Sequence, residues 1–161
     1  MSGSVRFMKR WYAIAALVLF LDRISKYVIT ENFALGDQMV VWPMFSIVRW
    51  HNAGAAFSFL NDAGGWQRGM FIVLAIAFSL FIVREIHLLK RHEYFAGFTY
   101  AMVLGGAIGN LWGRVMEGYV VDFILVHYQA HYFPAFNLAD SALFIGACGW
   151  ILLIFRGEKS E

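Results

Sequence analysis

The sequence predicts an all-α membrane protein: four transmembrane helices, with a small β-sheet and one short helix at the membrane surface. Of the 161 residues, 60% are hydrophobic and 15% are charged, so the chain is more apolar than an ordinary soluble domain. Four segments also approach the roughly 20 apolar residues that a helix needs to cross a bilayer. A chain of this length is expected to form one membrane domain over residues 1–161.

The four predicted spans are residues 11–29, 69–83, 95–112 and 136–155. The first span resembles the start of a secretory signal peptide, because a basic stretch precedes its apolar run. That stretch contains Arg6, Lys9 and Arg10. No small-x-small cleavage site follows the apolar run, and Asp22 and Arg23 stand there instead. We therefore interpret this segment as an uncleaved first helix.

The basic residues predict the orientation of the chain. They cluster within 6–10, 84–91 and 156–159. With four crossings, all three clusters fall on one side, which the positive-inside rule identifies as cytoplasmic. Both termini are then cytoplasmic, and segments 30–67 and 113–135 face outward. The net charge of +2 is too small to indicate a nucleic-acid partner.

The two outward segments differ in character. Residues 38–59 are rich in valine, isoleucine and aromatic residues, with partial alternation and a break at Pro43. This composition predicts short strands, which would form a small sheet resting on the membrane surface. In the second segment, residues 125–132 are expected to form a short helix at the interface.

Two stripes of residues run along the third predicted helix. The first recurs every four residues and contains Gly97, Ala101, Gly105, Gly109 and Gly113. Such a small-residue face lets another helix approach closely. The second stripe, one position along, contains Gly106, Asn110 and Arg114. Ordinary packing with a snorkelling arginine explains the first stripe better than the second. An asparagine and an arginine on one apolar helix need a polar partner.

Two aspartates stand in apolar sequence near the predicted outer edge of the membrane. Asp122 lies in VVDFI and Asp140 in FNLADSAL. Carboxylates in such positions are costly and mark a functional site; if the two meet, they can share a proton and activate water. Structural alternatives exist. Asn137 would be a helix N-cap with Asp140 in the first turn, and Asp122 would be a surface carboxylate where a helix meets a loop.

Other polar residues carry weaker signals. Asp22 and Lys26 are four residues apart, so they can pair on one face of the first helix. Asn52 and Gly54 lie in HNAGAAF and indicate a turn where the backbone comes close to another group. A loop asparagine is also commonly a simple turn former.

The sequence gives little support for metal or nucleophile chemistry. His127 and His131 would share a face of the predicted short helix and could bind a metal ion, but no third ligand lies nearby. No Walker loop, GxSxG motif or CxxC motif is present. We therefore expect neither a metal ion nor a cofactor.

The residues alone leave three classes of function open. The first is an aspartic protease. The second is a membrane carrier or channel whose acids relay protons or ions, although the cytoplasmic halves of the spans hold few polar residues to form a path. The third is a small membrane scaffold whose acids only cap helices.

Five motifs in order resemble those of the lipoprotein signal peptidase (signal peptidase II) family, over nearly the whole chain. They are LDRISK at Asp22, NAGAAF at Asn52, GGAIGN at Gly105, VVDFI at Asp122 and FNLADSA at Asn137. The resemblance implies an aspartic endopeptidase of the bacterial inner membrane. It would remove the signal peptide from a diacylglyceryl-modified prolipoprotein, cutting N-terminal to the lipidated cysteine. It also implies four membrane helices, a periplasmic sheet called a cradle, a short periplasmic helix, and an active site near the periplasmic leaflet.

By the same resemblance, Asp122 and Asp140 are the catalytic pair. The residues expected to bind substrate or support the site are Asn52, Gly54, Gly106, Asn110, Arg114 and Asn137. Asp22 matches a structural aspartate of the family, with Lys26 as its partner. The expected partners are the lipid-modified prolipoprotein and membrane lipids, with no nucleic acid and no obligatory protein partner. One departure stands out: Gly113 replaces the aspartate that usually precedes the arginine of GN-x-x-D-R.

Overall fold

The computed structural model describes residues 2–54, 66–129, 131–155 and 157, with side chains from residue 6 onward. Within these residues the chain forms four helices and four strands. In chain order they are α1 (Ser2–Asn32), β1 (Gln38–Trp42), β2 (Phe45–Asn52), α2 (Trp66–Leu88), α3 (Tyr94–Met116), β3 (Val120–Tyr128), β4 (His131–Tyr132) and α4 (Leu138–Phe155). The strands pair antiparallel in the order β1-β2-β3-β4. Along the chain, β1 and β2 lie between α1 and α2, and β3 and β4 lie between α3 and α4.

Helix α3 is the centre of the bundle and packs against the other three helices. Its glycines make this possible, because neighbouring backbone occupies the space of a side chain. A Cβ atom added at Gly105 would lie 2.7 Å from the main-chain oxygen of Ala15 in α1. One added at Gly106 would lie 2.5 Å from that of Ala139 in α4. In the small-residue stripe predicted from the sequence, Gly97, Gly105 and Gly109 all lie against α1, so the stripe is confirmed as a packing face over these residues.

The helices carry apolar side chains on their outer surfaces as well as in their core. A buried cluster joins α1, α2 and α3 through residues that include Trp11, Ile82 and Leu104, while Leu80 of α2 and Phe144 of α4 are strongly exposed. Among the described helices, α2 and α4 are long and apolar enough, by length and composition, to cross a membrane. The polar residues discussed below lie on α1 and α3, at the start of α4, and on strands β2 and β3.

The predicted sheet is confirmed for residues 38–54 of segment 38–59. Residues 55–59 lie outside the residues that the structure describes. Strands β1 and β2 form a hairpin, and β2 also pairs with β3. The β2–β3 register sets Trp50 opposite Asp122 and Asn52 opposite Val120. Pairing between residues about 70 positions apart thus brings the two outward segments together beside the helices.

The prediction of a short helix at residues 125–132 is wrong. Residues Leu125–Tyr128 continue strand β3, and His131–Tyr132 form β4, which pairs with the end of β3. The apolar residues of this segment follow neither a clear helix period nor a clear strand period, and backbone pairing with the distant β2 decides its conformation. The described residues between α1 and α2, and between α3 and α4, contain no helix. Asp122 is also not a surface residue at a helix end, since it lies within β3 and is 4% exposed.

Candidate active site

Asp122 projects from β3 into a pair of side-chain amides. The Asn137 Nδ2 group donates to one carboxyl oxygen at 2.6 Å, and the Asn52 Nδ2 group donates to the other at 3.0 Å. Burial, together with the negative charge of Asp140, raises the pKa of Asp122 to about 6. The two amide donors stabilise the ionised form and offset part of this rise. Asp122 can therefore hold or release a proton near neutral pH.

Asp140 lies in the first turn of α4, where it forms a reciprocal cap with Asn137. The Asn137 Oδ1 atom accepts the main-chain N–H of Asp140 at 3.0 Å, and Asp140 Oδ2 accepts the main-chain N–H of Asn137 at 3.2 Å. This arrangement is a capping box, so the structural interpretation of these two residues is correct. It does not compete with a functional one, because Asn137 Nδ2 remains available for Asp122. One buried asparagine therefore joins the two aspartates.

A second set of polar contacts reaches Asp140 from α1 through α3. Asn110 Nδ2 donates to Asp140 Oδ1 at 2.6 Å, and Lys26 Nζ donates to Asn110 Oδ1 at 3.0 Å. Lys26 also forms the predicted pair with Asp22, at 2.8 Å. The other Asp22 oxygen accepts the main-chain N–H of Ala139 at 3.0 Å. Asp22 thus satisfies an N–H group at the start of α4, which otherwise has no partner within the helix.

Two of the predicted glycines support the site through the backbone. Gly54 adopts φ +113° and donates its N–H to Asn52 Oδ1 at 2.9 Å. This turn leaves the Asn52 amide nitrogen directed at Asp122 and favours glycine because φ is positive. Gly106 lies against the first turn of α4, so its missing side chain lets the turn that carries Asp140 approach α3.

Arg114, near the end of α3, lies beside the aspartates. Its Nη1 group donates to the main-chain oxygen of Asn110 at 3.3 Å, and its guanidinium lies 5.2 Å from the ring centre of Phe71. Its Nε atom is buried and has no hydrogen-bond partner among the described residues. A buried donor without a partner is costly, so this group is suited to bind an incoming carbonyl or ester oxygen.

Gly113 stands where the turn after α3 folds back. A Cβ atom added at this position would lie 2.7 Å from the main-chain oxygen of Tyr119. An aspartate here would require residues 117–119 to move. The nearest acid along α3 is Glu117, one turn further on, which pairs with Arg23 of α1 at 2.8 Å.

A cavity of about 540 Å³ opens beside Asp140. It is lined by Phe133, Phe136, Asp140, Ser141, Phe144 and Ile145. Four of these six side chains are aromatic or aliphatic, and the carboxylate forms part of the wall. The cavity therefore suits an apolar group attached to a polar centre.

The predicted histidine arrangement is wrong. His127 lies opposite Tyr132, while His131 lies opposite Tyr128. Successive residues of a strand point to opposite faces, so the two histidines do not share one. His127 instead hydrogen-bonds the buried Ser46 hydroxyl at 3.1 Å. The described residues contain no group of three His, Cys, Asp or Glu side chains that could hold a metal ion.

Two arginines outside the predicted site residues fix the helix ends around the site. Arg49 Nη1 donates to the main-chain oxygens of Thr30 and Phe33, at 2.9 and 2.7 Å. Arg68 Nε donates to the main-chain oxygen of Arg114 at 2.8 Å. Both cations stabilise the carbonyl end of a helix. Their partners are far away in the sequence, so no local spacing could have indicated these contacts.

Comparison with known proteins identifies a family to which this chain is similar. The family model for signal peptidase (SPase) II matches residues 14–156. The lipoprotein signal peptidase of Pseudomonas aeruginosa (strain UCBPP-PA14) is 48% identical over 152 residues, which cover 93% of this chain and 90% of the relative. That of Teredinibacter turnerae is 46% identical over 138 residues, covering 86% and 82%.

A solved structure described as a bacterial membrane enzyme superposes with a TM-score of 0.81 at 28% identity, covering 95% of this chain and 93% of the other. A second structure with the same description gives a TM-score of 0.81 at 29% identity, covering 92% and 94%. These neighbours and the apolar helices support a membrane location. Among the three functions that the residues left open, the relatives support the protease. The chain belongs to the signal peptidase II family, the proteases that cleave signal peptides from prolipoproteins.

Proposed function

We propose that this protein is an aspartic endopeptidase in which Asp122 and Asp140 form the catalytic pair. The observation that carries the proposal is the contact of both carboxyl groups with Asn137. Two acids from separate elements thereby share one fully buried hydrogen-bond donor residue. The bond cut would be the one N-terminal to the lipidated cysteine of a diacylglyceryl-modified prolipoprotein.

The reaction follows from two neighbouring carboxyl groups that share one proton. The ionised carboxylate takes a proton from a water molecule, and the resulting hydroxide attacks the scissile carbonyl carbon. The protonated partner donates a hydrogen bond to the carbonyl oxygen and later helps to protonate the leaving amine. Asn52, Asn110 and Asn137 hold the two acids in position, because each donates to a carboxyl oxygen. This reaction needs no covalent intermediate and no metal ion.

The surroundings of the pair suit a lipid-modified peptide. The apolar cavity that includes Phe136 and Phe144 would take acyl chains, with Asp140 at its wall near the scissile bond. The Nε group of Arg114 would donate to a carbonyl oxygen of the peptide or to the ester region of the lipid. Sites of this type combine an apolar groove with a few oriented polar groups.

The chain would act as a single domain of four spans in the bacterial inner membrane, with both termini cytoplasmic and the site near the periplasmic leaflet. Helices α2 and α4 have the length and composition of spans. The polar residues of α1 and α3 also suit membrane helices, because Asp22, Lys26 and Asn110 are buried against one another. Charged side chains in spans are tolerated when they pair inside the bundle.

Processing of a lipidated precursor in detergent tests the proposal. Asp122→Asn and Asp140→Asn should each reduce turnover by about 10²- to 10⁴-fold, because each removes a proton-transfer group. Asp37→Asn is the matched control: among the described residues, the Asp37 carboxylate accepts only the main-chain N–H of Ala34 in its own turn, so this variant should retain normal turnover. A chelator should leave the rate unchanged. Near-normal turnover by either site variant would remove that aspartate from the pair.

A further inference from the structure

We propose that Lys26 is a positioning residue for the candidate catalytic pair, and that it acts on Asp140 through the side chain of Asn110. This inference rests on the proposed function, since it assigns a role relative to those two aspartates. It gives Lys26 a task beyond its pairing with Asp22.

The chain of contacts has a defined direction. An ammonium group only donates hydrogen bonds, whereas a side-chain amide has one accepting oxygen and one donating nitrogen. Because Lys26 Nζ lies 3.0 Å from Asn110 Oδ1, the amide oxygen must face the lysine. The amide nitrogen is then presented to Asp140 Oδ1, at 2.6 Å. Lys26 thereby fixes which way Asn110 points and makes this Asp140 oxygen an acceptor.

Burial strengthens the effect of the Lys26 charge on the pair and keeps Lys26 itself from contacting the substrate. Lys26 is 2% exposed and Asp22 is 0% exposed, so the pair lies inside the bundle. Buried ion pairs are weak evidence for a purely stabilising role, because desolvation offsets much of their attraction. Among the described residues, the cations that act on the two aspartates are Lys26 from α1 and Arg114 from α3, and Asp22 pairs with Lys26. Lys26 is the one of these cations that hydrogen-bonds Asn110 through its side-chain oxygen.

Removing the ammonium should change the pH dependence of catalysis as well as its rate. Without it, the ionised form of the pair loses both a nearby positive charge and a fixed amide donor. Both limbs of the pH profile of kcat/KM should therefore move to higher pH, by about one unit for the loss of one nearby buried charge. At pH values below the acidic limb, this corresponds to about tenfold lower kcat/KM.

The experiment compares Asp22→Asn with the double variant Asp22→Asn plus Lys26→Met. Replacing Asp22 first avoids leaving a buried carboxylate without its cation, and the two proteins then differ only at residue 26. The double variant should show the upward shift relative to the single variant. Arg23→Met is the control for loss of a cation: Arg23 is partly exposed and pairs with Glu117, so its profile should match that of the wild type.

Each outcome is decisive. A double variant that is slower but has unshifted limbs would overturn the proposal, since a merely structural lysine lowers the rate without moving the profile. Lys26→Gln, with Asp22 intact, provides a second test and should shift in the same direction. Failure of both Lys26 variants to fold in detergent, beside a folded Asp22→Asn protein, would make Lys26 a folding residue and also overturn it. Normal turnover of Asp122→Asn or Asp140→Asn would instead refute the proposed function, whatever Lys26 does.

Discussion

Asp122 and Asp140 present the same carboxyl group from two differently built regions. Asp122 lies in the middle of a strand, where its two donors are the neutral side-chain amides of Asn52 and Asn137. Asp140 lies at a helix N-terminus, where the main-chain N–H of Asn137 and the helix dipole favour an anion. Its other donor, Asn110, is tied to the Lys26 ammonium. We therefore expect the strand side to bear the shared proton and the helix side to be ionised.

The two regions also differ in how they are held. The position of Asp122 depends on strand pairing between distant segments and on the turn that directs Asn52. The position of Asp140 depends on the close approach of α3 and α4 at Gly106. Asn137 contacts the aspartates of both regions. Substitutions at Asn137, on the strand side alone and on the helix side alone should therefore separate the contributions of the two regions to turnover.

The largest effect is expected for Asn137→Ala, which acts on both sides at once. It removes the donor to Asp122 and opens the capping box with Asp140. Turnover should fall by about 10³-fold, as for loss of a group that orients both acids of the proposed pair. The free energy of unfolding should fall by about 1–2 kcal/mol from the lost cap. Precursor processing and thermal melting in detergent measure the two effects.

Asn52→Ala is the comparison for that variant, because it removes a donor to Asp122 and leaves the cap of α4 intact. Its turnover should fall less, by about 10- to 100-fold, with a smaller loss of stability from one hydrogen bond. Equal losses in the two variants would show that Asn137 does not link the two regions.

A smaller effect is expected for Gly106→Ala, which disturbs only the helix side. The new methyl group would lie 2.5 Å from the main-chain oxygen of Ala139, so α4 must move away from α3 and carry Asp140 with it. Overpacking of this kind costs about 1–3 kcal/mol of stability, and we expect a turnover loss of about tenfold. Gly69→Ala on α2 is the matched control, because no neighbouring group in the described part of the chain lies within 4 Å of its added Cβ atom. Normal turnover of a destabilised Gly106→Ala protein would show that the approach of α4 does not position the acid.

The sequence was most informative where a residue breaks the apolar pattern. Asp122, Asn110 and Asp140 stood out because polar groups in apolar segments require partners, and the structure brings all three together. The spacing of four between Asp22 and Lys26 also predicted their pair correctly. The role of each residue in catalysis stays a prediction.

What the sequence could not provide depends on contacts between distant segments. The link from Lys26 to Asn110 spans 84 positions, and no periodicity specifies it. Residues 125–132 were predicted to form a short helix, but residues 125 and 126 pair with β2, and residues 127 and 128 pair with β4. The helix start at Leu138, rather than 136, follows from the capping by Asn137, which the sequence offered only as an alternative to function.

The smallest effect concerns the pH dependence of stability on the strand side. The raised pKa of Asp122, about 6 against 3.8 for an unperturbed aspartate, means that the folded protein binds this proton more tightly than the unfolded chain. The resulting stability is complete below about pH 4 and is lost as the pH rises through about pH 6. The wild type should therefore lose on the order of 2 kcal/mol relative to Asp122→Asn over this interval. For a chain of this size, that is a few degrees in melting temperature.

Melting curves of the two proteins in the same detergent, from about pH 4 to about pH 8, measure this difference directly. Asp140 is present in both proteins, so the effect of its own titration on stability largely cancels in the difference. If the stability of the wild type relative to Asp122→Asn increases as the pH is lowered, the result would support Asp122 as the acid that keeps the proton. A wild type that instead gains stability over the variant as the pH rises would mean that Asp122 is stabilised as an anion. The assignment of the two regions would then have to be reversed, with the helix side holding the proton.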